Sequence, residues 1–396
     1  MYSKISTIAK EIGCSFIQVI DVNKNKVNII LGHEEEVMIQ EDDYYIVQVI
    51  KGDKYSQIEL PKNIFTEIDI VKKILQFSIE YSNKKFPSRD INFETISGKI
   101  EGIYKENNYI YTKNEIKKIK EKIENELNCK VLNIVFEEKR NVYTLNNGNN
   151  CKINQVDNSS TILLLLSTSN NQIKNFVFND ISIKSLPQVL KDSLLDNKLI
   201  NTVHEITPIS NKLVKFSEEC SKKLVFTLIS LFNGSNVLRG NTAIQKDDIT
   251  KELFDSKLTL SLNSNQLIDE QGFRCNGTLI EKGKIVGFIN SIETKNHLEG
   301  PVGCYFNSLI EVREKYLKFI LDKLPSNEYE IYITCIDSER IFFDPSTGKV
   351  EFVAYGRYRD QGGIVKFLIN FNIINIFKKV NYSNINSEIP ELIFRI

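Results

Sequence analysis

From Pro208 to its end the chain changes character, and that change restricts its fold more than any other feature. One stretch there, Glu218–Phe232, has helical apolar spacing and stops at Asn233-Gly234. Around it stand strand-like runs: Leu258–Leu262, Gly277–Glu281, Lys284–Asn290, Ile331–Asp337, Ile341–Asp344 and Val350–Gly356. Lys282-Gly283 separates two alternating runs and predicts a hairpin turn. Such a pattern hides its apolar faces between sheets. Residues 208–396 therefore predict a β-rich, barrel-like C-terminal domain with an entrance helix at 218–232.

Upstream, helix and strand signals are mixed. Ile5, Ile8 and Ile12 mark a short helix ending at Gly13. Ser15–Val22 and Lys26–Leu31 read as strands joined by an Asn23-Lys24-Asn25 turn. Tyr44–Ile50 and Tyr55–Leu60 flank a hairpin at Lys51–Lys54, and Pro61 ends that sheet. Thr66–Asn83 places Ile68, Val71, Ile74, Leu75 and Ile79 at helical spacing, which closes an α+β unit over 1–88. A second unit, 100–207, opens with a helix over Asn114–Asn128 and continues with strands at Lys130–Glu137 and Asn141–Leu145. Asn146–Asn150 is a loop, the all-apolar Thr161–Leu166 a strand covered on both faces, and Leu186–Leu199 a further helix. The class is α+β, with N-terminal α/β-type sheet-and-helix units before the β-rich domain.

Composition removes several function classes. The 396 residues carry 51 basic and 51 acidic side chains, and this balance argues against a protein that lives on the nucleic-acid backbone. Seven scattered cysteines without a CxxC point to reduced intracellular thiols rather than a disulfide framework. The N-terminus has no apolar signal core. A membrane span needs about 18 apolar residues in a row, and the best run, Ile364–Phe377, is broken by Lys366, Asn370, Asn372 and Asn375. The expectation is a cytoplasmic protein without a membrane partner.

Self-sufficient catalytic spacing is missing. Neither a phosphate-binding glycine loop, nor GxSxG, nor HExxH occurs. His204-Glu205 lacks a second histidine on its face, while His33 and His297 sit among glutamates in surface loops. Asp269-Glu270 precedes Gln271-Gly272; neighbouring residues of an extended chain point opposite ways, so a polar turn with Gly272 at positive φ is the simpler reading. Arg239-Gly240 could take a peptide carboxylate or pair with Asp247 or Asp248. Asp344–Gly348 is a turn signal. Glu311–Leu324 has a charged, helix-like pattern.

The segment Leu267-Ile268-Asp269-Glu270-Gln271-Gly272-Phe273-Arg274, followed by Thr278-Leu279-Ile280-Glu281-Lys282-Gly283-Lys284, resembles a signature of the TldD/TldE family, also called PmbA or modulator of DNA gyrase. Val214-Lys215-Phe216-Ser217 and Asn233-Gly234-Ser235-Asn236-Val237-Leu238-Arg239-Gly240 are similar to its TldE-type pattern. The resemblance is specific over 214–290. TldD-type members carry an HExxxH zinc motif on the helix before this glycine, and its positions here hold Phe226, Thr227 and Leu231. A phenyl ring, a hydroxyl and an isobutyl group cannot replace two imidazoles and a carboxylate. The family's third zinc ligand is a cysteine, near the place of Cys304 or Cys335.

The resemblance therefore implies a metal-free, TldE-like subunit with no catalytic residue and no cofactor of its own. Its implied partner is a zinc-bearing TldD-like subunit, and the heterodimer is a metallopeptidase complex acting on unfolded peptides. Such proteolysis includes peptide processing in the maturation of a ribosomally made peptide. Arg239, Asp269, Glu270, Gly272 and Thr278 are the candidates for the peptide channel or interface. The alternatives are a stand-alone homodimer that binds extended peptides without cutting them, and an enzyme with a site around Cys304, His297 and Asp269.

Overall fold

A computed structural model describes residues 2–82, 112–147, 152–167, 173–179, 185–188, 190, 205–263, 269, 273, 276–306, 309–310, 317–361, 363–383 and 389–396. The chain divides into two compact units, residues 1–85 with 92–197, and residues 86–91 with 198–396.

The N-terminal unit is built on one antiparallel sheet. Its strands are β1 (Phe16–Leu31), β2 (Glu35–Lys51), β3 (Lys54–Pro61), β4 (Lys130–Asn147), β5 (Lys152–Ser167) and β6 (Ile173–Asn179), in the order β3-β2-β1-β4-β5-β6. The units read at 1–88 and 100–207 share this sheet, because β1 pairs with β2 on one side and β4 on the other. The sheet carries two apolar clusters, and the second draws Ile29 and Leu31 from the first stretch. Helices α1 (Tyr2–Glu11) and α2 (Ile68–Glu80) bury Ile5, Ile8, Val71, Leu75 and Ile79 with Ile17, Val19 and Val47. Helix α3 (Lys113–Leu127) buries Ile116 and Ile123 with Ile29, Leu31, Ile134 and Leu164. The spacing of these residues, three, four or seven apart, lays one stripe of each helix on the sheet. Thr112 and Glu115 form a capping box at the start of α3, and Asn128 closes it in the left-handed conformation.

Two expected turns are absent. Asn23, Lys24 and Asn25 continue β1 without a break, opposite Asp43, Asp42 and Glu41 of β2. Likewise Lys130–Glu137 and Asn141–Leu145 are one strand, in which Lys139 bonds Glu137 and Glu137 also takes Lys26 at 2.7 Å. Polar residues that break an apolar pattern can remain in a strand when each finds a cross-strand partner. The Lys51–Lys54 hairpin is present, with Gly52 at φ +63°. Leu186–Gln188 and Leu190 are helical, and the remainder of the Leu186–Leu199 helix lies outside the described residues.

The C-terminal unit contains β7 (Ile206–Pro208), β8 (Leu213–Phe216), β9 (Leu258–Asn263), β10 (Asn276–Glu281), β11 (Lys284–Ile285), β12 (Tyr305–Phe306) and β13 (Leu309–Ile310). β14 (Leu317–Leu321), β15 (Ile331–Asp344), β16 (Lys349–Tyr358), β17 (Val365–Asn372), β18 (Asn381–Tyr382) and β19 (Leu392–Arg395) complete it. Its main sheet has seven strands in the order β18-β19-β8-β15-β16-β17-β7, a second has the order β11-β10-β9-β14, and β12 pairs with β13. The expected β-rich character holds, but these sheets are open: among the described residues β18 and β7 end the main sheet without meeting, and no barrel closes. Ile331–Asp337 and Ile341–Asp344 form one strand with an irregularity between Ile336 and Ile341. The helix-like pattern at Glu311–Leu324 is overturned at Leu317–Leu321. Leu317, Phe319 and Leu321 are buried while Lys318 and Ile320 are exposed, an alternation that belongs to a strand.

Helix α4 (Glu218–Ser230) lies in the core of this unit with Leu224, Val225, Leu228 and Ile229 among Phe216, Phe352, Phe377 and Phe394. Ring pairs such as Phe377–Phe394, 5.0 Å apart and tilted by 67°, have the edge-on geometry that aromatic quadrupoles favour. In a chain without tryptophan, phenylalanine fills this role. No described helix is long and apolar enough to cross a membrane.

Candidate functional site

The site is best built from α4 outward, since the resemblance places the family's metal there. Ser217 caps the helix by accepting from Cys220 N, and Glu218 and Glu219 lie in the first turn, where both pair with Lys222. Ser221 is fully buried: its hydroxyl donates to Phe216 O at 3.2 Å and accepts from Leu392 N at 2.9 Å. One hydroxyl thus locks the helix to both β8 and β19. Burial pushes the Cys220 thiol up to about 11, so it stays protonated and acts as an apolar core group.

Phe226 packs partly buried against the core, Leu231 is fully buried, and the Thr227 hydroxyl donates to Lys223 O at 2.8 Å. The three positions therefore offer a metal neither nitrogen nor carboxylate, and they do not fit zinc. Among the described residues no three His, Cys, Asp or Glu side chains gather as metal ligands would.

After α4 the chain turns through α5 (Gly234–Leu238), capped by Asn233, which accepts from Ser235 N and Asn236 N. Gly234 donates to Ile289 O at 2.9 Å, and a Cβ on Gly234 would lie 2.8 Å from Asn290 Oδ1. Only glycine permits that approach. Asn290, fully buried, is the hub. Its amide nitrogen Nδ2 donates to Phe288 O at 3.0 Å and Glu299 O at 3.2 Å, and its Oδ1 accepts from Thr294 Oγ1 at 3.0 Å. Its backbone donates to Pro301 O and accepts from Gly303 N. The loop 299–304 is thereby strapped along 287–290. The short helix α6 (Ile292–Lys295) is capped reciprocally by Ser291 and Thr294. Lys295 Nζ closes the strap by donating to Gly300 O at 2.9 Å. Cys304, buried and at φ +61°, sits at the end of the strap.

The other candidates are placed as follows. Asp269 is buried; its carboxylate accepts from Phe273 N and its own N donates to Phe273 O, both at 2.9 Å. The turn read from sequence, with Gly272 at positive φ, falls on 270–272, outside the described residues. Glu270 and Gly272 lie outside the described residues, as does His204. Thr278 is half-buried in β10, opposite Ser261 of β9. Arg239 is exposed after α5, before Gly240 at φ +69°, and no described carboxylate pairs with it. Asp248, one of its proposed partners, instead takes Lys251 at 2.8 Å. His33 and His297 are exposed. The Asp344 turn forms, and hydrogen bonds from Ser346 and Thr347 hold its carboxyl below the usual range. The Asn290 hub escaped the sequence reading, although Ser291-x-x-Thr294 is a capping pattern.

The Asn290 amide nitrogen and backbone hold other backbone groups, and its oxygen holds the Thr294 hydroxyl. The arrangement supplies rigidity, and it contains no nucleophile bonded to a base.

Residues 211–389 match a metallopeptidase C-terminal domain. That domain is the C-terminal domain of the PmbA/TldA family. No curated protein gives a significant match. Among solved structures, a proposed modulator of DNA gyrase from Bacteroides thetaiotaomicron is similar over 99% of this chain and 96% of its own, with 14% identity and a TM-score of 0.71. Another from Thermotoga maritima covers 100% and 98% at 12% identity and a TM-score of 0.73. TldE from Thermococcus kodakarensis covers 100% and 98% at 12% identity and a TM-score of 0.65. At such identities the likeness is one of fold, and it extends over both units.

Proposed function

We propose that the chain is the metal-free, TldE-like subunit of a two-component metallopeptidase. The observation that carries this reading is the helix α4. It lies inside a PmbA/TldA metallopeptidase C-terminal domain, yet presents Phe226, Thr227 and Leu231 where the resemblance places two imidazoles and a carboxylate. The likeness in fold to an archaeal TldE also supports it. In this reading the chain contributes one wall of a peptide chamber, held rigid by Asn290, and a zinc-bearing TldD-like partner does the cutting. Arg239, Asp269, Glu270, Gly272 and Thr278 face the peptide or the partner, the subunit works in the cytoplasm, and its substrates are unfolded peptides. The second reading, a homodimer that binds extended peptides without cutting, draws on the same unreactive helix.

The deciding experiment is hydrolysis of an unstructured peptide by this chain alone and with a TldD-like partner, each with and without a chelator. Cleavage only in the mixture, abolished by chelation, is the expected result. Cleavage by the chain alone would sink the proposal, and peptide binding without cleavage in either sample would favour the homodimer.

A further inference from the structure

The N-terminal sheet has an open margin within its second strand. β3 covers β2 only from Tyr44 to Lys51 and departs at Pro61, where the chain turns into a 3-10 segment over Lys62–Thr66. Beyond that point, residues 35–43 of β2 pair with β1 on one side, and among the described residues no strand pairs with them on the other. Natural edges are blunted by lysine, proline or a bulge. This one has none of these: the stretch contains neither Lys nor Pro, and its register with β1 is unbroken from Leu31↔Glu35 to Phe16↔Ile50.

The side chains on this edge are also unusual for a surface strand. Val37, Met38 and Ile39 are 45%, 42% and 68% exposed in the middle of it. Val37 lies beside Ile29, which belongs to the buried cluster under α3, so the Val37 and Ile39 face continues that cluster outward. Acidic residues flank the apolar centre. Glu35 is satisfied by Lys113 and Lys117, and Asp43 by Lys62, whereas Glu36, Glu41 and Asp42 pair with no described cation.

Charge decides the occupant. A second copy added antiparallel about Ile39 would set Glu36 against Asp42 and Glu35 against Asp43, and like charges directly opposite destabilise a strand pair. Parallel addition in register would stack each acid on its own copy. An extended segment with alternating apolar and basic residues meets neither objection. We infer that the 35–43 edge of β2 takes a basic, extended segment of a partner polypeptide as an added strand. Its apolar residues cover Val37 and Ile39, and its Lys or Arg side chains face Glu36 and Asp42. This surface is independent of the helix α4 reading.

The test uses the full chain and a fluorescein-labelled Lys-Val-Lys-Val-Lys-Val-Lys peptide, with Glu-Val-Glu-Val-Glu-Val-Glu as control. Anisotropy should show the basic peptide bound at least tenfold more tightly than the acidic one, and more weakly as salt rises. Amide exchange in residues 35–43 should slow when the basic peptide is added. Ile39→Lys and Glu36→Lys, both at exposed positions, should each weaken binding at least tenfold without moving the melting temperature. The inference fails if neither peptide binds, if both bind alike, if exchange at 35–43 is unchanged, or if both variants bind as the wild type does. It also fails if the wild type is a dimer that Ile39→Lys converts to monomer, since a second copy then occupies the edge.

Discussion

The two units bury polar groups by different means. In the N-terminal sheet they bond to one another. Gln18 donates to Gln48 at 2.7 Å, Gln48 donates to Gln57 at 3.1 Å, and Tyr55 OH donates to the same Gln57 oxygen at 2.9 Å, making a ladder across β1, β2 and β3. In the C-terminal unit buried side chains bond chiefly to backbone. Asn290 holds Phe288 O and Glu299 O, Ser221 holds Phe216 O and Leu392 N, and Thr242 holds Leu231 O. A regular sheet already satisfies its own backbone, so its polar side chains are left to pair and thereby to mark register. Irregular loops satisfy little of theirs, and each buried carbonyl needs a side chain brought to it. The candidate site lies in the unit of the second kind.

This contrast can be broken first at Gly300. It adopts φ +118°, and a Cβ there would fall 2.3 Å from both Phe288 N and Phe288 O. Backbone cannot yield as a side-chain tip can. Gly300→Ala should therefore cost on the order of 4 kcal/mol, through a strained φ together with a displaced strap. Denaturant unfolding measures it. A loss below about 1 kcal/mol would mean that the strap relaxes freely and that the hub is not rigid.

The corresponding change in the sheet is Gln48→Ala. It removes the middle of the glutamine ladder and leaves fully buried Gln18 without the acceptor on Gln48. The expected loss is about 2 kcal/mol, the cost of a lost buried amide hydrogen bond together with a small cavity. Replacing Gln18 and Gln48 together by Leu should recover most of it, because the buried amide that loses its acceptor is then removed as well. If the double variant were no better than the single one, register marking by this ladder would be the wrong account.

Legibility from sequence followed the same division. Helix α3 could be read from Ile116, Ile119, Ile123 and Leu127, and the Lys282-Gly283 turn from its residue types; both residues of that turn indeed adopt positive φ. These features are local. The continuation of β1 through Asn23-Lys24-Asn25 was not legible, because its cause is the acidic stretch of β2 lying opposite. The same is true of Leu317–Leu321, whose alternation was masked by the charges before it. At the candidate site, Phe226, Thr227 and Leu231 could be judged from chemistry alone. Asn290 could not, because its partner Glu299 becomes a neighbour only when the strap folds back.

The smallest effect sharpens the comparison through pH. In the C-terminal sheet Glu391 is largely buried. Burial pushes its carboxyl up, but hydrogen bonds from Lys215, Tyr332 and Ser383 outweigh this and hold it below the usual range. Its lowered folded value means the native state favours the ionised form, so this stability is present above the unfolded value of about 4.3 and is lost as pH falls through the folded one. In the N-terminal unit Glu35 is exposed, and hydrogen bonds from Lys117 and Lys113 lower it to about 2. The lowering is large there, yet water and salt screen an exposed pair, so its stabilisation should be slight. The prediction is a difference in response to salt as pH is lowered from 6 to 3, about the span over which such carboxylates titrate. The melting-temperature gap between wild type and Glu391→Gln should narrow over that span and survive added salt. The corresponding gap for Glu35→Gln should be small at the outset and vanish when salt is added. Equal salt sensitivity of the two would show that the Lys215–Glu391–Tyr332 cluster is as solvated as the surface pair, and that its bonds do not hold β8 and β15 to the segment before β19.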